Sequence, residues 1–513
     1  MAGLDPRIHV LRLPIAISAK TPYMGHSRPR QTVRCTQNGE CFLSASGSAS
    51  KGIRGIARRF ADRKNVRLAV TGLTRSGKTV FTTSFIHNLL SAGLWPERLP
   101  FLAAASRGDI IAGEVFSVAP GPRDTPRFPY EESLGAITGK SPTWPQATDR
   151  LSAIRLGMRY RTRRKLARPR GRKVQILHVD LVDYPGEWLL DLPLAAKSFA
   201  KWSEETLELA KIEPRAGLAQ DWLAHMATLD GPGRAKNADM EQAADLYKAY
   251  LEACRAPEVG MVLVQPARFI RPGDVDPDDP ILQFCPLEPL PAKALAGSVY
   301  QVMEERYKAY RDLIVRPFYR DHFRGFDEQI VLVDVLSALR LGKAAFDDAQ
   351  AAIGAILQSF DYGKSGLLSW LTGVRISKVL FAATKSDHVS SNQHHNLKRL
   401  LEEMVAREAN RIRFRGVRTG AVALSAVRCT EDVLGEVQGQ TLSMVRGLPA
   451  GRDEETALFP GEIPALFPTD QDWHDGRFKF LDFMPARISG SARGLSHVGM
   501  DEAMEYLIGE RLK

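Results

Sequence analysis

The chain has 513 residues, 44% of them hydrophobic, and its 70 Lys and Arg against 59 Asp and Glu leave a formal charge of +11. That apolar share fills one large core or two ordinary ones and argues against a chain disordered overall. Charge, Gly or Pro interrupts each apolar run within about ten residues, short of the roughly 18 to 20 that a spanning helix requires, and the apolar patch at 13–17 is too short for a secretory signal. A cytoplasmic protein is expected, with a peripheral place at the membrane surface left open.

Residues 1–45 lack periodicity and are rich in Ser, Arg, Pro and Gly, so they read as a disordered extension or an over-called start. A basic amphipathic helix is expected over 51–63, with Ile53, Ile56, Ala57 and Phe60 on one face. A buried strand follows at 66–71 and a helix at 81–91. Strands at 151–160 and 174–182 flank a basic run and form an antiparallel ribbon. Between Arg159 and Lys173 that run carries nine Lys or Arg and no acid. It is a candidate surface for an anionic partner, nucleic acid or membrane, although a solvated hairpin is the commoner form of such a run.

From about 190 to 325 the pattern turns helical, as at 241–255 and 299–323, with Pro-rich extended stretches at 266–280 and 286–291. Trp202, Trp222, Tyr247, Tyr250, Tyr300 and Tyr307 fall at helical spacings and are expected in a core. Strands at 330–336, 378–383 and 420–426 then alternate with helices near 346–360 and 392–408. The tail beyond Thr430 mixes Gly, Pro and aromatic residues and ends in a helix over 501–512, expected to pack back on the sheet. Cys35, Cys41, Cys254, Cys285 and Cys429 are scattered, without C-x-x-C spacing or paired His, and are read as reduced, with Cys254 and Cys285 buried.

The segment from Gly72, G-L-T-R-S-G-K-T, fits G-x-x-x-x-G-K-[ST] between a strand and a helix, which is the context the motif needs. Gly72 and Gly77 let the backbone curl so that amides, including those of Arg75 and Ser76, face phosphates at a helix N-terminus. Lys78 counters phosphate charge, Thr79 offers a hydroxyl to Mg²⁺, and Arg75 is a built-in cation that could serve phosphate or a partner.

In VDLVDYPGEW, a strand ends at Asp183 and Gly186 follows three positions later, giving D-x-x-G. Asp183 is a candidate to hold Mg²⁺ through water, and the Gly186 amide to sense the γ-phosphate. Glu187 stands where a water-orienting residue is expected, whereas Asp180 faces the opposite side of the strand. The Thr that senses metal and γ-phosphate is assigned first to Thr148 and second to Thr143. Further on, Thr384-Lys385-Ser386-Asp387 has the form [NT]-K-x-D. Its Asp387 can accept from N1–H and the exocyclic amine of guanine, a donor pair adenine lacks, while the Lys385 stem covers the base. Ser425, Ala426 and Val427 after the last strand complete the base site.

These motifs in this order imply an α/β, P-loop GTPase-like fold with a mixed, mostly parallel sheet, helices on both faces and a large helical insertion. The division expected is an extension (1–45), a first part of the nucleotide domain (46–190), a helical insertion domain (191–325), and a second part with a C-terminal extension (326–513). The quoted loop, D-Y-P-G-E-W-L-L-D-L-P, A-T-K-S-D-H and the ending D-E-A-M-E-Y-L-I-G-E-R-L resemble the YcjX-like family of bacterial P-loop proteins over residues 50–513. The resemblance implies a GTPase-like core binding GTP or GDP, with the purine pocket at Lys385 and Asp387, in a family associated with stress-response operons; residues 1–45 look foreign to it.

The function expected is that of a slow Mg²⁺-dependent GTPase or nucleotide-state switch, with an unknown protein partner reading its state through the insertion. The alternatives are an ATPase or P-loop kinase, and a nucleotide-bound scaffold with negligible turnover.

Overall fold

The first strand, β1 (Asn65–Gly72), has the alternation of a strand buried on both faces: Val66, Leu68 and Val70 enter one core and Ala69 the other. The computed structural model describes residues 65–116, 125–163, 174–290, 294–323, 325–359, 376–437, 440–487 and 494–513. The expected extension at 1–45, the helix at 51–63 and the basic stretch 164–173 lie outside the described residues.

After the glycine-rich loop, α1 (Lys78–Ser91) places Phe81, Phe85, Ile86 and Leu89 in the core it shares with Val66, Leu68 and Val70. All four are fully buried, and each such side chain contributes about 1.5–3 kcal/mol. Then come β2 (Ile110–Val115), α2 (Tyr130–Thr138), β3 (Ser152–Arg161) and β4 (Val174–Asp183). The ribbon β3–β4 pairs from Ser152 opposite Asp183 to Arg161 opposite Val174. Asp180 faces away from the loop and binds Arg155 through two hydrogen bonds of 2.6 and 2.7 Å. Sequence reading missed the edge strand β2, whose IIAGEV has little alternation. At its foot, Arg163 pairs with Asp109 at 2.9 Å, so this residue of the basic run is not simply solvated.

Beyond β4, a 3₁₀ segment (Gly186–Ala196) leads into α3 (Phe199–Ala210), α4 (Asn237–Cys254) and α5 (Val299–Tyr310), the last continuing through wider π-type turns to Phe323. Ser198 and Ser298 cap α3 and α5 through their hydroxyls. The six aromatic residues expected in a core are buried. Trp202 stacks on Tyr307 and Trp222 on Tyr250, and this aromatic packing is continuous with Val331, Val333 and Phe381 of the sheet.

The chain re-enters the sheet at β5 (Glu328–Val333), followed by α6 (Val335–Arg340) and α7 (Lys343–Ser359). The strand expected to reach residue 336 stops at Val333, because the Asp334 carboxylate accepts from the Ser337 amide and starts a helix inside the apolar run. Next are β6 (Lys378–Ala383), α8 (His394–Phe414) and β7 (Arg418–Ala423). The sheet is seven-stranded, in the order β2-β3-β4-β1-β5-β6-β7. Strands β4, β1, β5, β6 and β7 are parallel, and β2 and β3 are antiparallel to their neighbours. This is the expected mixed, mostly parallel α/β sheet.

The tail contains a three-stranded sheet that sequence reading did not find, made of β8 (Thr430–Val437), β9 (Gln440–Gly447) and β10 (Thr456–Leu458). Its last helix, α9 (Met500–Ile508), returns as expected and buries Met500, Met504, Leu507 and Ile508 with Phe81 and Leu380. Among the described residues, no helix is long and apolar enough to cross a membrane.

Candidate functional site

The loop from Gly72 to Lys78 joins β1 to α1 at the carboxyl edge of the parallel strands, where open α/β sheets place ligands. Ser76 closes it, its hydroxyl donating to the Leu73 carbonyl at 2.7 Å. A Cβ on Gly72 would meet Ser76 Oγ at 2.4 Å and the Leu332 carbonyl at 2.9 Å, so glycine is required there. Gly77 takes φ 81 and Arg75 φ 63, the left-handed turns that point successive amides to one side. Arg75 is exposed on the cavity rim, with no ion pair among the described residues.

Lys78 is buried under this loop, its ammonium donating to the Leu73 carbonyl at 3.3 Å. Gly186 comes against it: a Cβ there would lie 2.2 Å from the Gly72 carbonyl oxygen and 2.5 Å from Lys78 Nζ. The D-x-x-G turn and the phosphate loop are thus in backbone contact. Burial holds the Lys78 ammonium below its ordinary pKa, opposed by Glu187 and Asp183. Burial likewise raises the Asp183 carboxyl, opposed by Lys78 and the Thr148 hydrogen bond.

Thr79, Thr148 and Asp183 converge. Thr148 Oγ1 donates to Asp183 Oδ2 at 2.5 Å and lies 3.0 Å from Thr79 Oγ1, so Thr79 must be the donor in that second pair. Asp183 Oδ1 is buried without a partner among the described residues. Two hydroxyls and a carboxylate with a spare buried oxygen suit a hard cation such as Mg²⁺, and among the described residues no soft ligand joins them. Thr143 is elsewhere: its amide donates to the Ala136 carbonyl and it does not line the cavity.

Glu187 is buried, and its Oε1 receives Arg255 Nη2 at 2.6 Å, with Arg271 Nε at 3.9 Å. Burial opposes its ionisation, but Lys78 and Arg255 outweigh that and hold the carboxyl below its ordinary pKa. Arg255 Nη2 also reaches Thr74 Oγ1, inside the phosphate loop, at 3.3 Å. Sequence reading missed both arginines, because only the packing of α4 and the chain after it brings them here.

The residues expected at the base lie at the tips of β6 and β7. Lys385 takes φ 58, and its ammonium bridges Asp334 at 2.7 Å and Asp482 at 2.6 Å. These two carboxylates raise its pKa against the effect of burial. The pair fixes the stem along one wall of the cavity. Asp387 Oδ2 accepts from the Cys429 amide at 2.7 Å and from its thiol at 3.1 Å, whereas Oδ1 is buried and unpartnered among the described residues. Cys429, isolated from the other cysteines in the sequence, sits in the fold with Asp387 and His388, 3.6 Å from His388 Nε2. Nothing in the spacing of residues 387 and 429 signals this. Ser425 turns its hydroxyl to the Val427 carbonyl at 3.0 Å, and the Ala426 carbonyl accepts from Ser84, tying this turn to α1.

One cavity of about 580 Å³ connects the two ends. Arg75, Ser76, Gly77, Lys78, Thr79, Thr148, Gly186, Glu187, Lys385, Asp387, Ser425, Ala426 and Val427 all line it, with Arg255, Arg271 and Asp482 added by the structure. Gly72 and Asp183 do not line it, and Asp183 is tied to it through Thr148.

The sheet order and a glycine-rich loop leading into α1, facing a D-x-x-G turn, define a P-loop protein of the GTPase-like class. Residues 66–512 match the model of the YcjX-like family, DUF463, and the chain belongs to that family. It is 35% identical over 474 residues to a protein of Escherichia coli named "Ras-like GTPase YcjX", covering 90% of this chain and 98% of that one. A protein of Shewanella oneidensis with the same name is 33% identical over 475 residues, covering 89% of this chain and 96% of its own length.

Proposed function

We propose that this chain binds GTP and GDP with Mg²⁺ in the cavity between Lys78 and Asp387, hydrolyses GTP slowly, and acts as a nucleotide-state switch. The observation that carries the reading is the unpartnered buried Oδ1 of Asp387, aligned by Cys429 at one end of a cavity whose other end is the phosphate loop. A buried acceptor without a donor costs about 1–3 kcal/mol, which a guanine N1–H and amine would offset and adenine would not. The shared name of the two relatives supports the same nucleotide.

In this reading the loop amides of Arg75, Ser76 and Gly77, with the Lys78 ammonium, bind the β and γ phosphates. Thr79, Thr148 and Asp183 would hold Mg²⁺, which when bound supplies positive charge at those phosphates. The Gly186 amide senses the γ-phosphate, and Glu187 orients water. Arg75, on the rim, serves phosphate or a partner. Turnover is slow because Glu187 is held ionised beside Lys78, so it is a weak base near γ-phosphate charge. A second reading as ATPase or kinase leaves Asp387 Oδ1 without its donors.

Residues 46–190 and 326–513 are then the two parts of the nucleotide domain, with 191–325 as an insertion placed to pass the state of the Gly186 turn to a protein partner. The Lys and Arg of the run from Arg159 to Lys173 would serve an anionic partner, and a cytoplasmic place and a stress-response role belong to the same reading. The test is titration of the purified protein with GTP, GDP and ATP, with and without Mg²⁺, beside Lys78→Ala. Guanine-selective binding lost in the variant supports the reading; equal affinity for ATP and GTP sinks its guanine part.

A further inference from the structure

Arg255 is the residue at the C-terminal end of α4, and its guanidinium enters the cavity at the phosphate loop. One nitrogen, Nη2, touches both Glu187 Oε1 at 2.6 Å and Thr74 Oγ1 at 3.3 Å. Thr74 is the third residue of the loop, and Glu187 follows the glycine expected to meet the γ-phosphate. The side chain is only 15% exposed. The residues just after it, Gly260, Met261 and Val262, line the same cavity, so this wall belongs to the site rather than to a distant surface.

Charge gives a second argument. Lys78, Arg255 and Arg271 face Glu187 and Asp183, and Arg75 is near enough to act electrostatically on Arg255. The γ-phosphate end therefore holds more cationic than anionic side chains, a balance suited to an incoming polyanion. A structural ion pair would need only Arg255 and Glu187, and would not require the guanidinium to reach into the loop.

On this basis we propose that Arg255 is a catalytic arginine supplied in cis by the helical segment, leaving Glu187 to contact the γ-phosphate during hydrolysis. The inference rests on the GTP reading above. In the step, the water oxygen bonds to the γ-phosphorus while the bond from phosphorus to the β–γ bridging oxygen breaks. The electron pair stays on the β-phosphate of GDP, and the water proton passes to solvent as inorganic phosphate leaves. Arg255 contributes no atom; it stabilises charge on the transferred group and the bridging oxygen. A GTPase with such an arginine in cis turns over at about 10⁻² s⁻¹, the order of rate expected here.

The experiment compares full-length wild type, Arg255→Ala and Arg255→Lys. It measures GDP affinity, single-turnover GTP hydrolysis, and capture of aluminium fluoride by the GDP-bound protein. Lysine keeps the positive charge beside Glu187 but loses the planar fork, so it preserves a merely structural pair without replacing a transition-state contact. Both variants should keep GDP affinity within about threefold, lose at least about tenfold in hydrolysis, and fail to capture aluminium fluoride. Should Arg255→Ala not fold, Arg255→Lys carries the test alone. Wild-type hydrolysis and fluoride capture in Arg255→Lys would overturn the inference while leaving the GTP reading intact. A wild type that neither binds GDP nor hydrolyses GTP would overturn both.

Discussion

The Thr148 hydroxyl donates to the Asp183 carboxylate across 2.5 Å, although the two residues lie 35 apart in the chain. Thr148 stands just before β3 and Asp183 ends β4, so the antiparallel register that pairs Ser152 with Asp183 brings them together. The ribbon thereby assembles an oxygen-donor cluster against Thr79 of the phosphate loop.

Thr148→Ala removes that donor and one hydroxyl of the cluster. A hydrogen bond to a charged group contributes about 1.5–3 kcal/mol, so GTP affinity in the presence of Mg²⁺ should fall roughly tenfold or more. GDP affinity without Mg²⁺ should barely change. Calorimetric titration under both conditions checks this; equal losses in the two would assign Thr148 to the fold alone.

Gly186→Ala inserts a methyl 2.2 Å from the Gly72 carbonyl oxygen and 2.5 Å from Lys78 Nζ. Backbone cannot swing aside as a side-chain tip can, so the loop and the turn must separate at a cost of about 1–3 kcal/mol. Nucleotide affinity should drop roughly tenfold and the melting temperature should fall. An alanine variant with wild-type affinity would show that the two segments separate without consequence.

Glu328, at the start of β5, is buried, and burial raises its carboxyl to about 7 against the pull of Lys378 and Arg511. An ordinary glutamate titrates near 4.5, so the folded chain holds this proton over a pH range where the unfolded chain has lost it. The resulting stability is complete below about 4.5 and disappears as pH rises through about 7, an effect of about 3 kcal/mol. Glu328→Gln should gain on wild type by roughly that amount between pH 4.5 and 7.5. Urea unfolding at the two pH values measures it, and parallel pH dependences would contradict the assignment.

The phosphate loop was legible because its chemistry lies in eight consecutive residues between a strand and a helix. The sheet was legible because apolar runs such as KVLFAA are buried on both faces. Asp387 could be singled out by its place at a strand end, but its alignment by Cys429 could not, since that contact crosses 42 residues into the turn before β8. Arg255 was beyond reach for the same reason: on α4 it reads as a charged residue at a helix end, and only packing against the Gly186 turn gives it Glu187. Asp482 reaches Lys385 from the tail, across 97 residues. The edge strand β2 and the sheet β8–β10 were missed because they are short or half-exposed, with weak alternation.

Guanine selection is proposed to rest on Asp387. Affinities of wild type and Asp387→Asn for GDP and ADP test it most directly. Wild type should bind GDP far more tightly than ADP, and Asp387→Asn should lose roughly 100-fold in GDP affinity, the worth of hydrogen bonds to a charged acceptor, with ADP binding unchanged. Equal affinity of the wild type for GDP and ADP, unaltered in Asp387→Asn, would contradict it.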